Sequence, residues 1–288
     1  MRTVFILGAA ALFLAAGCGG SNGHASAGRT EVVAAFYPLA YAAEQVGGRN
    51  VDVRNLTPAG AEPHDLELSA RDVGRVRSAD VVLMLGDRFQ PALERAAKDA
   101  DGTVVDLLSD LPLLAPSAVE EGASHDPHVW LDPVRYERIV ARAAREIPSG
   151  SAQSFDRRLR ALDAEFEDGL ADCERHTFVT SHAAFAYLAR RYGLKQVAIS
   201  GLSPEIEPAP RALEGVVREV QRSGATTVFF ETLVSPRLAE TVAREAGART
   251  AVLNPIEGLT EEQANAGADY FSLMRENLRA LREALGCR

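Results

Sequence analysis

S-F-D-R-R-L-R-A-L-D-A-E-F-E-D-G-L-A-D, residues Ser154–Asp172, is the stretch on which the architecture turns. Its apolar residues fall at Phe155, Leu159, Leu162, Phe166 and Leu170, with gaps of four, three, four and four. That spacing lines one face of an α-helix, and Arg, Asp and Glu fill the other. Pro148, Ser149 and Gly150 mark the start, and no strand-like run occurs between 151 and 172. A helix of about 22 residues would reach roughly 33 Å at 1.5 Å per residue. Strand-like runs lie on both sides, four before and four after. The pattern predicts a rigid connecting helix at 151–172 between an N-terminal lobe at 30–150 and a C-terminal lobe at 173–288. The competing arrangement is a peripheral helix on one domain, which the even division of strands disfavours.

The runs before the helix are Val32–Phe36, Val51–Leu56, Val81–Leu85 and Val104–Leu107. Those after it are Phe178–Thr180, Val197–Ile199, Val228–Phe230 and Ala251–Leu253. Helical patterns separate most of them. Leu39–Val46 ends at Gly47-Gly48, and Ser69 with Asp72 forms a capping box for a helix through Arg77. Pro210 opens a helix that stops near Gly224. Ser235 and Pro236 read as N-cap and first residue of a helix ending at Gly247, and Thr260 with Gln263 forms another capping box. Strand alternating with helix implies parallel sheets, so the expected class is α/β: two lobes, each a mostly parallel sheet with flanking helices.

The N-terminus addresses the compartment. Arg2 precedes an apolar run, Val4–Gly17, that is too short for a bilayer span of roughly 20 residues. Ala15, Ala16 and Gly17 then precede Cys18. This reads as an export signal over 1–18 with a small-residue cleavage site. The arrangement resembles a bacterial lipobox, although leucine stands four residues before the cysteine, at Leu14, rather than three. The resemblance implies a lipidated Cys18, with 19–29 as a flexible tether to the outer face of the cytoplasmic membrane. Removing Cys18 leaves Cys173 and Cys287, which an oxidising compartment would pair; two free thiols are the alternative.

The remaining bounds are permissive. The chain has 288 residues, 47% of them hydrophobic, enough for one large or two medium domains. A net charge of -9 argues against nucleic acid as partner and suits a protein that attracts cations.

Three of the six histidines sit in A-E-P-H-D (Ala61–Asp65), H-D-P-H-V-W-L-D-P (His125–Pro133) and T-S-H-A-A-F-A-Y (Thr180–Tyr187). His64 follows a strand and loop, His128 lies in a proline-framed loop, and His182 follows the strand Thr177–Thr180 at the start of a helix over Ala183–Tyr192. Ligands of parallel sheets gather beyond the carboxyl ends of strands, so such loops can share a cleft. Each histidine alone is more often a surface or satisfied core residue; the three contexts together point to a metal.

At these residues the chain resembles the metal-specific solute-binding proteins of bacterial ABC importers, the zinc and manganese group. The shared stretches include F-Y-P-L (Phe36–Leu39), R-Y-G-L (Arg191–Leu194), G-L-S-P-E (Gly201–Glu205), F-F-E-T-L-V-S-P (Phe229–Pro236) and L-N-P-I-E-G-L-T (Leu253–Thr260). The resemblance implies two α/β lobes joined by a long helix with the metal in the cleft. It carries the ligand roles to His64, His128 and His182. Asn254 stands where some members have aspartate, and Glu257 matches the glutamate that completes the site in one subgroup; water is the alternative fourth ligand. Asp65, Asp126 and Asp132 are candidate acceptors behind the rings. His125 and His24 have no assigned role, and His176 is expected to be structural.

Three imidazoles and one carboxylate suit tetrahedral zinc, whereas manganese prefers more oxygen. The expected ligand is one Zn(II) per chain, carried as cargo by a monomer to a membrane permease served by a separate ATPase. The chain has no P-loop and no H-E-x-x-H, so ATP hydrolysis and zincin chemistry are not expected of it. The alternatives are a manganese carrier and a zinc-containing surface adhesin.

Overall fold

The computed structural model describes residues 28–116, 124–148, 150–206 and 208–288. The expected export signal, Cys18, His24 and most of the tether lie outside the described residues.

Val32, Val33 and Ala34 are all buried on strand β1 (Thr30–Ala34). Successive strand side chains point to opposite faces, so this run requires cover on both. The cover comes from the crossovers. α1 (Tyr37–Gly47) leads to β2 (Val51–Asn55), α2 (Ala70–Ser78) to β3 (Val81–Met84), and α3 (Pro91–Ala97) to β4 (Thr103–Asp106). The sheet is parallel throughout, in the order β2-β1-β3-β4. A single 3-10 turn, Val129–Leu131, and α4 (Pro133–Glu146) follow.

Beyond α5 (Gln153–Leu170) the pattern repeats. β5 (Thr177–Thr180), α6 (Ala186–Arg191), β6 (Lys195–Ala198), α7 (Pro210–Ser223), β7 (Thr227–Phe230), α8 (Arg237–Ala246) and β8 (Arg249–Val252) form a second parallel sheet, ordered β6-β5-β7-β8. α9 (Glu261–Asn265) and α10 (Tyr270–Leu285) complete the chain. In each sheet the chain visits one side of the first strand and then the other. The crevice where it reverses lies beyond the carboxyl ends of β1 and β3 in one lobe and of β5 and β7 in the other.

All five apolar residues of the α5 stripe are buried. At one end Phe155 meets Tyr41, Tyr136 and Phe271 at ring distances of 5.6, 5.7 and 5.3 Å. At the other Phe166 stacks on Tyr192 at 5.2 Å. The helix thus touches both lobes, and one apolar cluster runs continuously from Val32 through Trp130 and Leu159 to Phe229 and Ile256. With 18 residues α5 is shorter than expected, roughly 27 Å long at 1.5 Å per residue.

Other differences have local causes. α8 begins at Arg237 with Pro236 as cap and no capping side chain, so Ser235 does not act as N-cap. The backbone from 181 to 185 turns irregularly before α6, which starts at Ala186 rather than Ala183. α7 and α8 end as expected, at Gly224 (φ +67) and Gly247 (φ +73), a left-handed conformation open to glycine. Cys173 and Cys287 form a disulfide that ties the end of α10 to the segment after α5.

Candidate metal centre

His64 lies in the loop after β2. Buried Gln90 fixes that loop by donating from Nε2 to the carbonyl of Pro63 at 3.0 Å. Across the cleft, Gly60 N–H donates to the carbonyl of Leu259 at 2.8 Å. The ring of His64 packs edge-on against Phe89, with centroids 4.7 Å apart.

His128 caps the 3-10 turn and is fully buried. Its Nδ1 is 2.8 Å from Asp126 Oδ1, which also accepts the backbone N–H of His128 at 2.9 Å. Tyr187, from the other lobe, steadies this loop by donating its hydroxyl to the carbonyl of Asp126 at 2.7 Å.

His182 follows β5 and is also fully buried. Its carbonyl accepts from Thr180 Oγ1 at 2.7 Å and from Gln196 Nε2 at 3.0 Å. Its Nδ1 lies 2.6 Å from Glu231 Oε1, at the end of β7. The hydroxyl of Ser181 donates to the same oxygen.

Glu257 is carried by a tightly held loop. Asn254 Oδ1 accepts the N–H of Ile256 at 2.7 Å, and Asn277 on α10 bonds both N–H and carbonyl of Asn254. Ile256 has φ +56, an uncommon and strained setting for a β-branched residue. The fully buried side chain of Ile256 and the bonds around it hold this turn, which aims the next residue into the cleft.

The four side chains converge. Glu257 Oε1 lies 3.4 Å from His64 Nε2, 3.2 Å from His128 Nε2 and 3.4 Å from His182 Nε2. His128 Nε2 and His182 Nε2 are 3.3 Å apart. One donor atom from each of the four lies within 4.8 Å of all the others. A tetrahedron with bonds near 2.0 Å has edges of about 3.3 Å, the geometry of N/O-ligated zinc.

Electrostatics agree with a cation site. A carboxylate can only accept, so Asp126 and Glu231 fix the proton of each neutral ring on Nδ1. With both rings neutral, the Nε2 lone pairs of His128 and His182 face one another and Glu257. Neither oxygen of Glu257 nor Nε2 of His64 has a hydrogen-bond partner, although Glu257 is only 1% exposed. Burial opposes ionisation of Glu257, but the charge of His182 and the close imidazoles hold its carboxyl well below the usual range. Burial also pulls His64 down. In His128 and His182 burial is outweighed by the carboxylates beside them, and both are raised. Such unpaired, convergent buried acceptors are costly alone and are resolved by a divalent ion.

Sequence reasoning identified all four convergent residues and Asp126. The other two candidate acceptors lie elsewhere. Asp132 caps α4, accepting from the N–H groups of Val134 and Arg135, because it directly precedes the helix. Asp65 is exposed and takes no hydrogen bond from a site ring. Two acids were missed. Glu231 lay unremarked inside F-F-E-T-L, at the end of a strand where a ligand-supporting role could have been read. Glu62, next to Pro63, accepts the N–H of His64 at 3.1 Å. Burial and the charge of Glu257 push its carboxyl up to about 8. His125 lies outside the cluster, its Nδ1 3.3 Å from Asp87, and His176 is exposed.

Comparison with known proteins agrees with this geometry. The family model described as ZnuA, zinc-uptake complex component A periplasmic, matches residues 32–284. The zinc-binding lipoprotein AdcA of Streptococcus pneumoniae serotype 4 is 37% identical over 297 residues, covering 95% of this chain and 58% of AdcA. The chain therefore spans somewhat more than half the length of that relative. The high-affinity zinc uptake system protein ZnuA of Bacillus subtilis is 32% identical over 304 residues, covering 96% of this chain and 95% of that protein. The crystal structure of the Zn(II)-bound ZnuA-like domain of S. pneumoniae AdcA superposes with a TM-score of 0.75 at 36% identity, covering 90% of this chain and 99% of that one. The chain belongs to the ZnuA family.

Proposed function

We propose that this chain captures one Zn(II) outside the cytoplasm and hands it to the permease of an ABC importer driven by a separate ATPase. The observation that carries this reading is Glu257 Oε1 lying 3.2–3.4 Å from all three Nε2 atoms, with one donor atom of each of the four residues within 4.8 Å of the others. In the proposed site His64 and His128 come from the N-terminal lobe (30–150), and His182 and Glu257 from the C-terminal lobe (173–288), with 151–172 joining the two. Zinc is favoured over manganese because the donor set is three nitrogens and one oxygen. The names of AdcA and B. subtilis ZnuA support the same cargo.

The role is carriage rather than catalysis. Four protein ligands leave no coordination position for an activated water. His128, His182 and Glu257 are at most 1% exposed, so the ion enters and leaves only when the cleft opens. Residues 1–18 serve as export signal, Cys18 as lipid anchor, and the chain works as a monomer held near its permease. The test is a zinc titration of the purified metal-free protein. One tightly bound equivalent supports the reading, and weak or multiple binding refutes it.

A further inference from the structure

Glu231 is a buried acid that stands behind one of the four proposed ligands rather than among them. It sits at the carboxyl end of β7, directly after Phe230, and is 3% exposed. Its partners are His182 Nδ1 at 2.6 Å and the hydroxyl of Ser181. Both bonds go to Oε1, and both come from the loop that follows β5. β5 and β7 are adjacent strands in the sheet, and the contact spans the crevice where the chain reverses direction across the sheet.

This geometry has three consequences for His182. A carboxylate only accepts, so the neutral ring must carry its proton on Nδ1 and present Nε2 bare to Glu257 and His128. The ring is pinned by its backbone, through the bonds to its carbonyl from Thr180 and Gln196, and by its edge, through Glu231. The negative charge behind the ring also raises the basicity of the opposite nitrogen. His128 receives the same treatment from Asp126, but from two residues away on its own loop. Glu231 reaches His182 from a different strand, 49 residues on in sequence. It therefore makes the ligand's orientation depend on the packing of β7 against β5.

We propose that Glu231 is a positioning residue for zinc, setting the tautomer, aim and donor strength of His182. This rests on the reading of His182 as a ligand. The Ser181 hydroxyl, bonded to the same oxygen, fixes the carboxylate in turn.

The experiment compares Glu231→Ala, Glu231→Gln and His182→Ala with the parent protein, by zinc competition against a chromogenic chelator and by the visible spectrum of the Co(II)-loaded protein. The amide oxygen of Gln still accepts from Nδ1 but carries no charge. Expected is a loss of zinc affinity of roughly 10–100-fold in Glu231→Ala, the usual effect of removing such a partner, and a smaller, several-fold loss in Glu231→Gln. The Co(II) bands should shift in Glu231→Ala and move back towards the parent in Glu231→Gln, while Gln, which has the shape of Glu, still loses affinity several-fold, a loss that a general packing role would not produce. Should Glu231→Ala fail to fold, Glu231→Gln decides alone, and parent-like zinc affinity in it overturns the proposal. Retained affinity in His182→Ala overturns the ligand assignment itself. Lost affinity there with no change in either Glu231 variant defeats only the role given to Glu231.

Discussion

Trp130 Nε1 donates a 2.8 Å hydrogen bond to the carbonyl of Pro255. The bond joins the turn that carries His128 to the loop that carries Glu257, so two proposed ligands from different lobes brace each other. Tyr270 on α10 adds a second tie, donating its hydroxyl to the carbonyl of Trp130 at 2.7 Å. Trp130→Phe keeps an aromatic ring against Phe36, now 4.8 Å away, but strands the buried Pro255 carbonyl. The expected cost is about 1–3 kcal/mol in denaturant unfolding of the metal-free protein. Zinc affinity should weaken with it, and unchanged values for both would show that the brace is dispensable.

Single replacement of His64, His128, His182 or Glu257 by Ala should cut zinc affinity by more than the roughly 10–100-fold typical of losing an outer partner. His125→Ala and Asp65→Asn, outside the cluster, serve as controls and should bind as the parent does. Calorimetry on the set checks the pattern. A ligand variant that behaves like the controls removes that residue from the site.

Zinc must displace protons from the imidazoles, so affinity should fall as pH drops. In the metal-free protein the folded pKa of His182 is well above the ordinary histidine value of 6.5, because Glu231 and Glu257 outweigh burial. His128 is raised too, while Glu257 stays ionised because its pKa is depressed. Protons therefore compete up to a higher pH than free histidine would allow. Affinity should keep rising above 6.5, and a plateau already reached there in a pH series of zinc titrations would contradict this electrostatic account.

The Cys173–Cys287 disulfide links residues 114 apart. The chain-entropy relation for a loop of that length gives about 4–5 kcal/mol. Cys173→Ser with Cys287→Ser should lower the denaturant midpoint accordingly and leave zinc stoichiometry at one, since neither cysteine belongs to the metal cluster. A double variant as stable as the parent would show that α10 needs no such anchor.

Much of this was legible in the chain because the signals were local. Each of the eight strands among the described residues overlaps one of the short runs read from the sequence, and the α5 stripe repeats on a helical period over Phe155–Leu170. The histidines stood out through their neighbours. What escaped depends on tertiary context. The α10 helix, with Tyr270, Phe271, Leu273 and Met274 buried, lacked a diagnostic start in the sequence because its cap, Asp269, pairs with Ser272 rather than with a glutamate or glutamine. Glu231 meets His182 only once β5 and β7 lie side by side. Among the three candidate acceptors, sequence alone could not separate Asp126 from Asp132, which directly precedes α4 and takes up the open N–H groups of that helix.

The most direct measurement is anomalous X-ray scattering at the zinc absorption edge from crystals of the zinc-loaded protein. The account predicts one strong peak, bonded at about 2.0–2.1 Å to Nε2 of His64, His128 and His182 and to a carboxylate oxygen of Glu257. A peak elsewhere, or rings turned so that the three Nε2 atoms do not share it, would contradict the account.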